Sequence, residues 1–172
     1  QVAPAAIEAG KRLGVDPSIL IGQWGLETGW GKSVIPDTNN LGNIKDFSGS
    51  GIAATDNMTG SRDRYRQYAS INDFGSDYAG LIERRYGSAI GAGQDVARYA
   101  EALKAGGYAE DPAYVEKMAR AAEMVRGAGV GLGEGWNGAP AGATQQGGAV
   151  SLEPDSFLAS GFGALEQRDR QE

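Results

Sequence analysis

The sequence contains no cysteine and no histidine. Without cysteine there is no disulfide framework, no thiolate zinc site and no thiol nucleophile. Without histidine the usual general base and the commonest metal ligand are also missing, which excludes Ser-His and Cys-His hydrolases and histidine-bound zinc. Acid–base chemistry therefore falls to carboxylates, tyrosine or lysine. No apolar run approaches the length of a bilayer span. A net charge of −6 argues against broad nucleic-acid binding, which depends on neutralising phosphates with Lys and Arg. The chain opens at Gln1 with neither Met nor a signal-peptide pattern, which reads as a processed product or an excised segment.

What is present suits one domain with a tail. The 172 residues are 41% hydrophobic and 22% charged, enough length and apolar content for a buried core. Residues 3–13 have helical composition and stop at Gly14. Asp16-Pro17 supplies an N-cap and a first-turn proline, predicting a helix to Thr28 with Gly29 as its stop. Residues 29–50 read as loop. GIAAT (51–55), DNMTG (56–60) and SRDRYRQY (61–68) read as strand, turn and strand of a small hairpin. Ser70 with Asp73 predicts a capped helix to Tyr86, and a further helix fits Asp95 to Ala105. Asp111-Pro112 predicts the start of a last helix, with Tyr114, Val115, Met118, Ala121, Ala122 and Val125 as its apolar stripe, ending at Gly127. Composition then changes to an aperiodic Gly/Ala-rich stretch, with one weak amphipathic patch around SFLASGFGALEQ. Residues 1–127 are thus expected to be the folded domain, and 128–172 a Gly-rich linker or extended arm with a short C-terminal segment.

The stretch most suggestive of chemistry is LETGWG, residues 26–31. On a helix, Glu27 shares a face with Leu20, Gln23 and Trp24, so its carboxyl should be partly desolvated. It also sits in the last helical turn, where the macrodipole disfavours a second anion. Both effects raise a carboxyl pKa, and a carboxyl protonated near neutrality can protonate a leaving-group oxygen. Trp30 offers a flat apolar surface for a sugar ring. The alternative is a surface glutamate at a fraying helix end, paired with Lys32.

Four blocks in order, QWGLETGWGKS, NNLGNIKD, RYRQYASINDFGSDYAGLI and YAEALKAGGYAEDPAYVEKM, resemble the glucosaminidase family of flagellar-rod hydrolases and autolysins, glycoside hydrolase family 73. The likeness runs across residues 5–126. It implies an α+β fold: a mostly helical lysozyme-like domain with a small β-hairpin lobe. It also implies cleavage of peptidoglycan glycan strands, with no metal and no cofactor.

By position, the resemblance makes Glu27 the general acid, and Trp30, Asn43 and Tyr65 substrate-binding residues. The family block resembling NLFGIK reads Asn40-Leu41-Gly42-Asn43-Ile44-Lys45 here, so its aromatic is replaced by Gly42. Where the family carries a hairpin glutamate after threonine, proposed as the second carboxylate, this chain has Asp56 after Thr55, one methylene shorter. Asp56 reads equally as an ordinary turn residue. Tyr108 matches a family tyrosine lining the cleft beside the acid, and its alternative is helix packing. Arg62, Arg64 and Arg66 form either a solvated strand face or a surface attracting anionic wall polymers.

The expected function is a peptidoglycan glycosidase acting at N-acetylglucosaminyl-β-1,4-N-acetylmuramyl bonds in the periplasm or cell wall, secreted or delivered by a virion. The expected partners are the glycan strands and, through the C-terminal arm, a larger assembly; no nucleic acid and no membrane span are expected. Two alternatives stand beside this: a lytic transglycosylase, and a non-catalytic glycan-binding component of a phage or flagellar assembly.

Overall fold

The computed structural model describes residues 2–55 and 60–129. Along these residues run α1 (Val2–Leu13), α2 (Pro17–Thr28), β1 (Ile52–Thr55), β2 (Arg62–Tyr65), α3 (Ile71–Arg85), α4 (Val96–Ala105) and α5 (Tyr114–Gly127). A 3-10 turn at Gly87–Ala89, which the sequence reading did not foresee, joins α3 to α4. The architecture is the expected α+β one, mostly helical with a hairpin lobe. No helix among the described residues is long and apolar enough to cross a membrane.

Helix α2 is the central element. Apart from Gln23 and Glu27 its side chains are apolar or small on every face, the pattern of a buried helix, and every residue from Pro17 to Leu26 is buried. Asp16 caps its start, accepting from the Ser18 N–H at 2.8 Å, with Pro17 in the first turn. Gly29 ends it in the left-handed conformation at φ 54°, which glycine adopts without steric cost. On this helix pack α1 and α5, with α3 against α1 and α4 against α5. Trp24 of α2 meets Phe74 and Tyr78 of α3 edge-on, at centroid distances of 5.0 and 5.4 Å.

Two expected boundaries move. Strand β2 stops at Tyr65 rather than continuing to Tyr68, because the next backbone groups turn to the preceding loop: Arg66 N–H donates to Ile44 O and Tyr68 N–H to Thr38 O. The arginine row is correspondingly broken. Arg62 and Arg64 are exposed on the strand, while Arg66 lies beyond it and pairs with Asp77 at 2.9 Å. Helix α5 starts at Tyr114, not at Pro112. Asp111 accepts from Ala113 N–H at 2.8 Å and pairs with Lys117 at 2.5 Å, so it caps the turn leading into the helix rather than the helix itself. The predicted Ser70 cap is present, accepting from Asp73 N–H at 3.1 Å. The Gly-rich arm, from residue 130 onward, lies outside the described residues.

Gly22 sets the approach of α5 to α2. A Cβ there would come within 2.9 Å of Ala122 N and 3.0 Å of Ala121 C, both backbone atoms. Gly22→Ala should therefore destabilise the domain by about 1–3 kcal/mol despite alanine's better helix propensity, seen as a lower midpoint in urea unfolding.

Candidate active site

The last turn of α2 carries Glu27 out of the core. Its neighbours Leu26 and Thr28 are buried, whereas Glu27 retains partial solvent access. The carboxyl is nonetheless densely surrounded, and desolvation raises its pKa from 4.5 to about 8. Partial access together with a desolvated carboxyl sets Glu27 apart from a surface glutamate on a fraying end. No hydrogen bond or ion pair to the carboxylate occurs among the described residues, Lys32 included, so the proton-bearing form is favoured by desolvation alone.

The orphan carbonyls at a helix end must find donors, and here all four do. Gly25 O accepts from Trp30 N–H at 2.7 Å, Leu26 O from Gly29 N–H at 3.5 Å and Thr28 O from Ser33 N–H at 2.8 Å. The carbonyl of Glu27 itself accepts from the Asn43 side-chain amide at 2.6 Å. Asn43 is held in the left-handed region at φ 48°, which asparagine tolerates better than most residues. The amide that the resemblance assigned to substrate is thus bonded to the backbone of the candidate acid.

Trp30 also lies in the left-handed region, at φ 58°. Its indole folds back over α2 so closely that a Cβ on Gly25 would stand 2.5 Å from the ring. The residue is half-buried, and its Nε1 has no acceptor among the described residues.

Beneath Glu27 lies a buried polar cluster. Gln23, one turn earlier on α2, donates to Tyr114 Oη at 3.1 Å and accepts from Tyr78 Oη, which is 2.5 Å from Tyr99 Oη. Tyr108 is 1% exposed and packs edge-on against Tyr86 at 5.4 Å, as the packing alternative expects. Its hydroxyl, however, is buried with no partner among the described residues. Burial pushes the phenols of Tyr108 and Tyr114 well up, and the charge of Glu27 pushes both further. A buried donor without an acceptor is costly, and here it lies within the electrostatic reach of the candidate acid.

Tyr65 is 5% exposed, on the buried side of the hairpin opposite Ile52. Asp56 lies outside the described residues. Two residues that sequence reasoning passed over support the site. Gln23 organises the tyrosine cluster. Asn40, fully buried, brackets the loop by donating to Ile44 O at 2.9 Å and Arg66 O at 3.0 Å and accepting from Ile44 N–H at 3.0 Å. The only sequence signal for Gln23 was its spacing from Glu27; for Asn40 it was its place at the head of the block Asn40-Leu41-Gly42-Asn43-Ile44-Lys45.

The comparisons with known proteins agree with this fold. The profile of the family Glucosaminidase, described as mannosyl-glycoprotein endo-beta-N-acetylglucosaminidase, matches residues 3–126. The chain is 34% identical over 135 residues to the peptidoglycan hydrolase FlgJ of Vibrio cholerae, covering 70% of this chain and 40% of that protein. It is 33% identical over 139 residues to FlgJ of Pseudomonas aeruginosa, covering 72% of this chain and 35% of that protein. The chain thus spans less than half the length of these curated relatives. Among solved structures, a peptidoglycan hydrolase from Sphingomonas sp. A1 superposes with a TM-score of 0.63 at 38% identity, covering 69% of this chain and 81% of that one. The glycoside hydrolase domain from Salmonella typhimurium FlgJ superposes with a TM-score of 0.60 at 28% identity, covering 73% and 84%.

The raised pKa of Glu27 has a consequence for stability. Below pH 4.5 the carboxyl is protonated in both the folded and unfolded chain; between 4.5 and about 8 only the unfolded chain releases the proton, so stability falls across that window. Glu27→Gln removes this loss. Its melting temperature should match wild type in acid and exceed it by several degrees at alkaline pH, measured by thermal unfolding across a pH series.

Proposed function

This chain belongs to the glucosaminidase family, and from that premise we propose that it is a peptidoglycan glycosidase with Glu27 as its general acid. The observation that carries the proposal is the carboxyl at the end of α2, accessible to solvent yet desolvated enough to hold its proton to about pH 8. The names of its relatives, which include peptidoglycan hydrolases, support the substrate class. The bond proposed is N-acetylglucosaminyl-β-1,4-N-acetylmuramyl, cleaved in the periplasm or cell wall.

Glu27 gives its proton to the glycosidic oxygen as the bond to the anomeric carbon breaks, and positive charge spreads to the ring oxygen. The leaving sugar departs as a neutral alcohol, and water adds to the anomeric carbon. Asp56 is proposed to take the proton of that water; a separation of about 6.5–9.5 Å between the two carboxyls would leave room for it and invert the anomer. The Tyr108 hydroxyl, buried without a partner, is proposed as a donor to Glu27 after its proton has left, which stabilises the resulting carboxylate. Trp30 is proposed to border the bound glycan, with Tyr65, buried under the hairpin, supporting the substrate-binding lobe from within, and the segment 128–172 to tether the enzyme to a larger assembly such as a virion.

Glu27→Gln should lower the release of soluble fragments from purified peptidoglycan by about 10²–10⁴-fold with the fold intact, read by mass spectrometry of the digest. Activity at the wild-type level would sink the assignment. Asp56→Asn should lower the rate in the same assay without changing the products. Reducing ends in the wild-type digest support hydrolysis, whereas 1,6-anhydro ends would make the enzyme a lytic transglycosylase.

A further inference from the structure

We propose that Asn43 is a positioning residue for Glu27, a role that rests on Glu27 being the acid. Three observations carry it. First, Asn43 puts an amide-bearing side chain at a left-handed position, φ 48°, where glycine would be easier. Second, that amide is engaged. It donates at 2.6 Å to the Glu27 carbonyl, the only one of α2's four terminal carbonyls whose donor comes from outside the immediate turn.

Third, the residue that follows Asn43 is anchored. Asn40 bonds both the N–H and the C=O of Ile44, and also Arg66 O directly after β2. A continuous path of bonds therefore runs from the backbone of Glu27 through Asn43, Ile44 and Asn40 to the end of β2. One end of that path carries the acid, and the other belongs to the hairpin. At Gly42 the loop lies close against α3, where a Cβ would be 3.3 Å from the Phe74 ring. Asn43 thereby sets where the Glu27 turn stands relative to the hairpin lobe. A small misplacement of a catalytic group is expensive in rate and cheap in binding.

The test separates positioning from substrate contact and from folding. Asn43→Gly removes the amide while easing the left-handed backbone, which offsets part of the lost hydrogen bond, and thermal unfolding checks that the variant is folded at the assay temperature. On soluble uncrosslinked glycan strands, kcat should fall about tenfold or more with KM within about twofold. Asn43→Asp keeps the size and the tolerance for positive φ but presents an acceptor to the carbonyl, and should lose at least as much kcat. A rise in KM with unchanged kcat would overturn the inference in favour of a substrate contact. Unchanged kcat and KM would overturn it outright. Glu27→Gln, assayed alongside, keeps the two claims apart: if it is inactive while Asn43→Gly is unaffected, the positioning role alone fails, and if it is fully active the acid assignment fails first.

Discussion

The structure depends on the burial of one helix. Helix α2 is enclosed by α1, α3 and α5, and its apolar and small residues leave it no solvated face. Enclosure removes water as a partner for backbone groups, so both ends of the helix must be closed by the protein itself. Asp16 closes one end. At the other, Gly29 turns the chain sharply, and Asn43 reaches across the loop to the one carbonyl the local turn leaves open. Glu27 occupies the place where this closure meets solvent. Its raised pKa follows from the same enclosure that makes the core, because a carboxylate there is poorly hydrated and has no countercharge among the described residues to stabilise it.

Below the acid, the core changes character. Gln23 and three tyrosines form a hydrogen-bonded cluster among residues that are otherwise apolar. Such networks are stable when every member is satisfied, and Gln23, Tyr78, Tyr99 and Tyr114 satisfy one another. Tyr108 stands apart, buried, without a partner among the described residues and within the field of Glu27.

Much of this was legible in the sequence because the strongest signals are local. Asp16-Pro17, Gly29 and Ser70 with Asp73 act within a turn of their own backbone, and the ends they mark agree with the structure. The hairpin was legible from its alternation, but its length was not, since β2 ends where its backbone groups find partners in a distant loop. Helix α5 was misplaced by two residues for a similar reason: Asp111 had a nearer N–H to cap and a lysine to pair with. The arginine row looked uniform until Asp77, on another helix, claimed Arg66.

By itself the sequence determined the helices, the existence of the hairpin and the family to which the chain belongs, and it singled out Glu27 as the candidate acid. These rest on caps, periodicity and ordered motifs, all of which operate over a few residues. Only the tertiary structure decided that Glu27 is desolvated while partly open to solvent, that the Tyr108 hydroxyl is buried without a partner among the described residues, and that the Asn43 amide is engaged with the backbone of Glu27. Burial and long-range hydrogen bonds are properties of how elements meet. Sixteen residues separate Asn43 from Glu27 along the chain, and it is the packed loop, held by Asn40, that closes this distance.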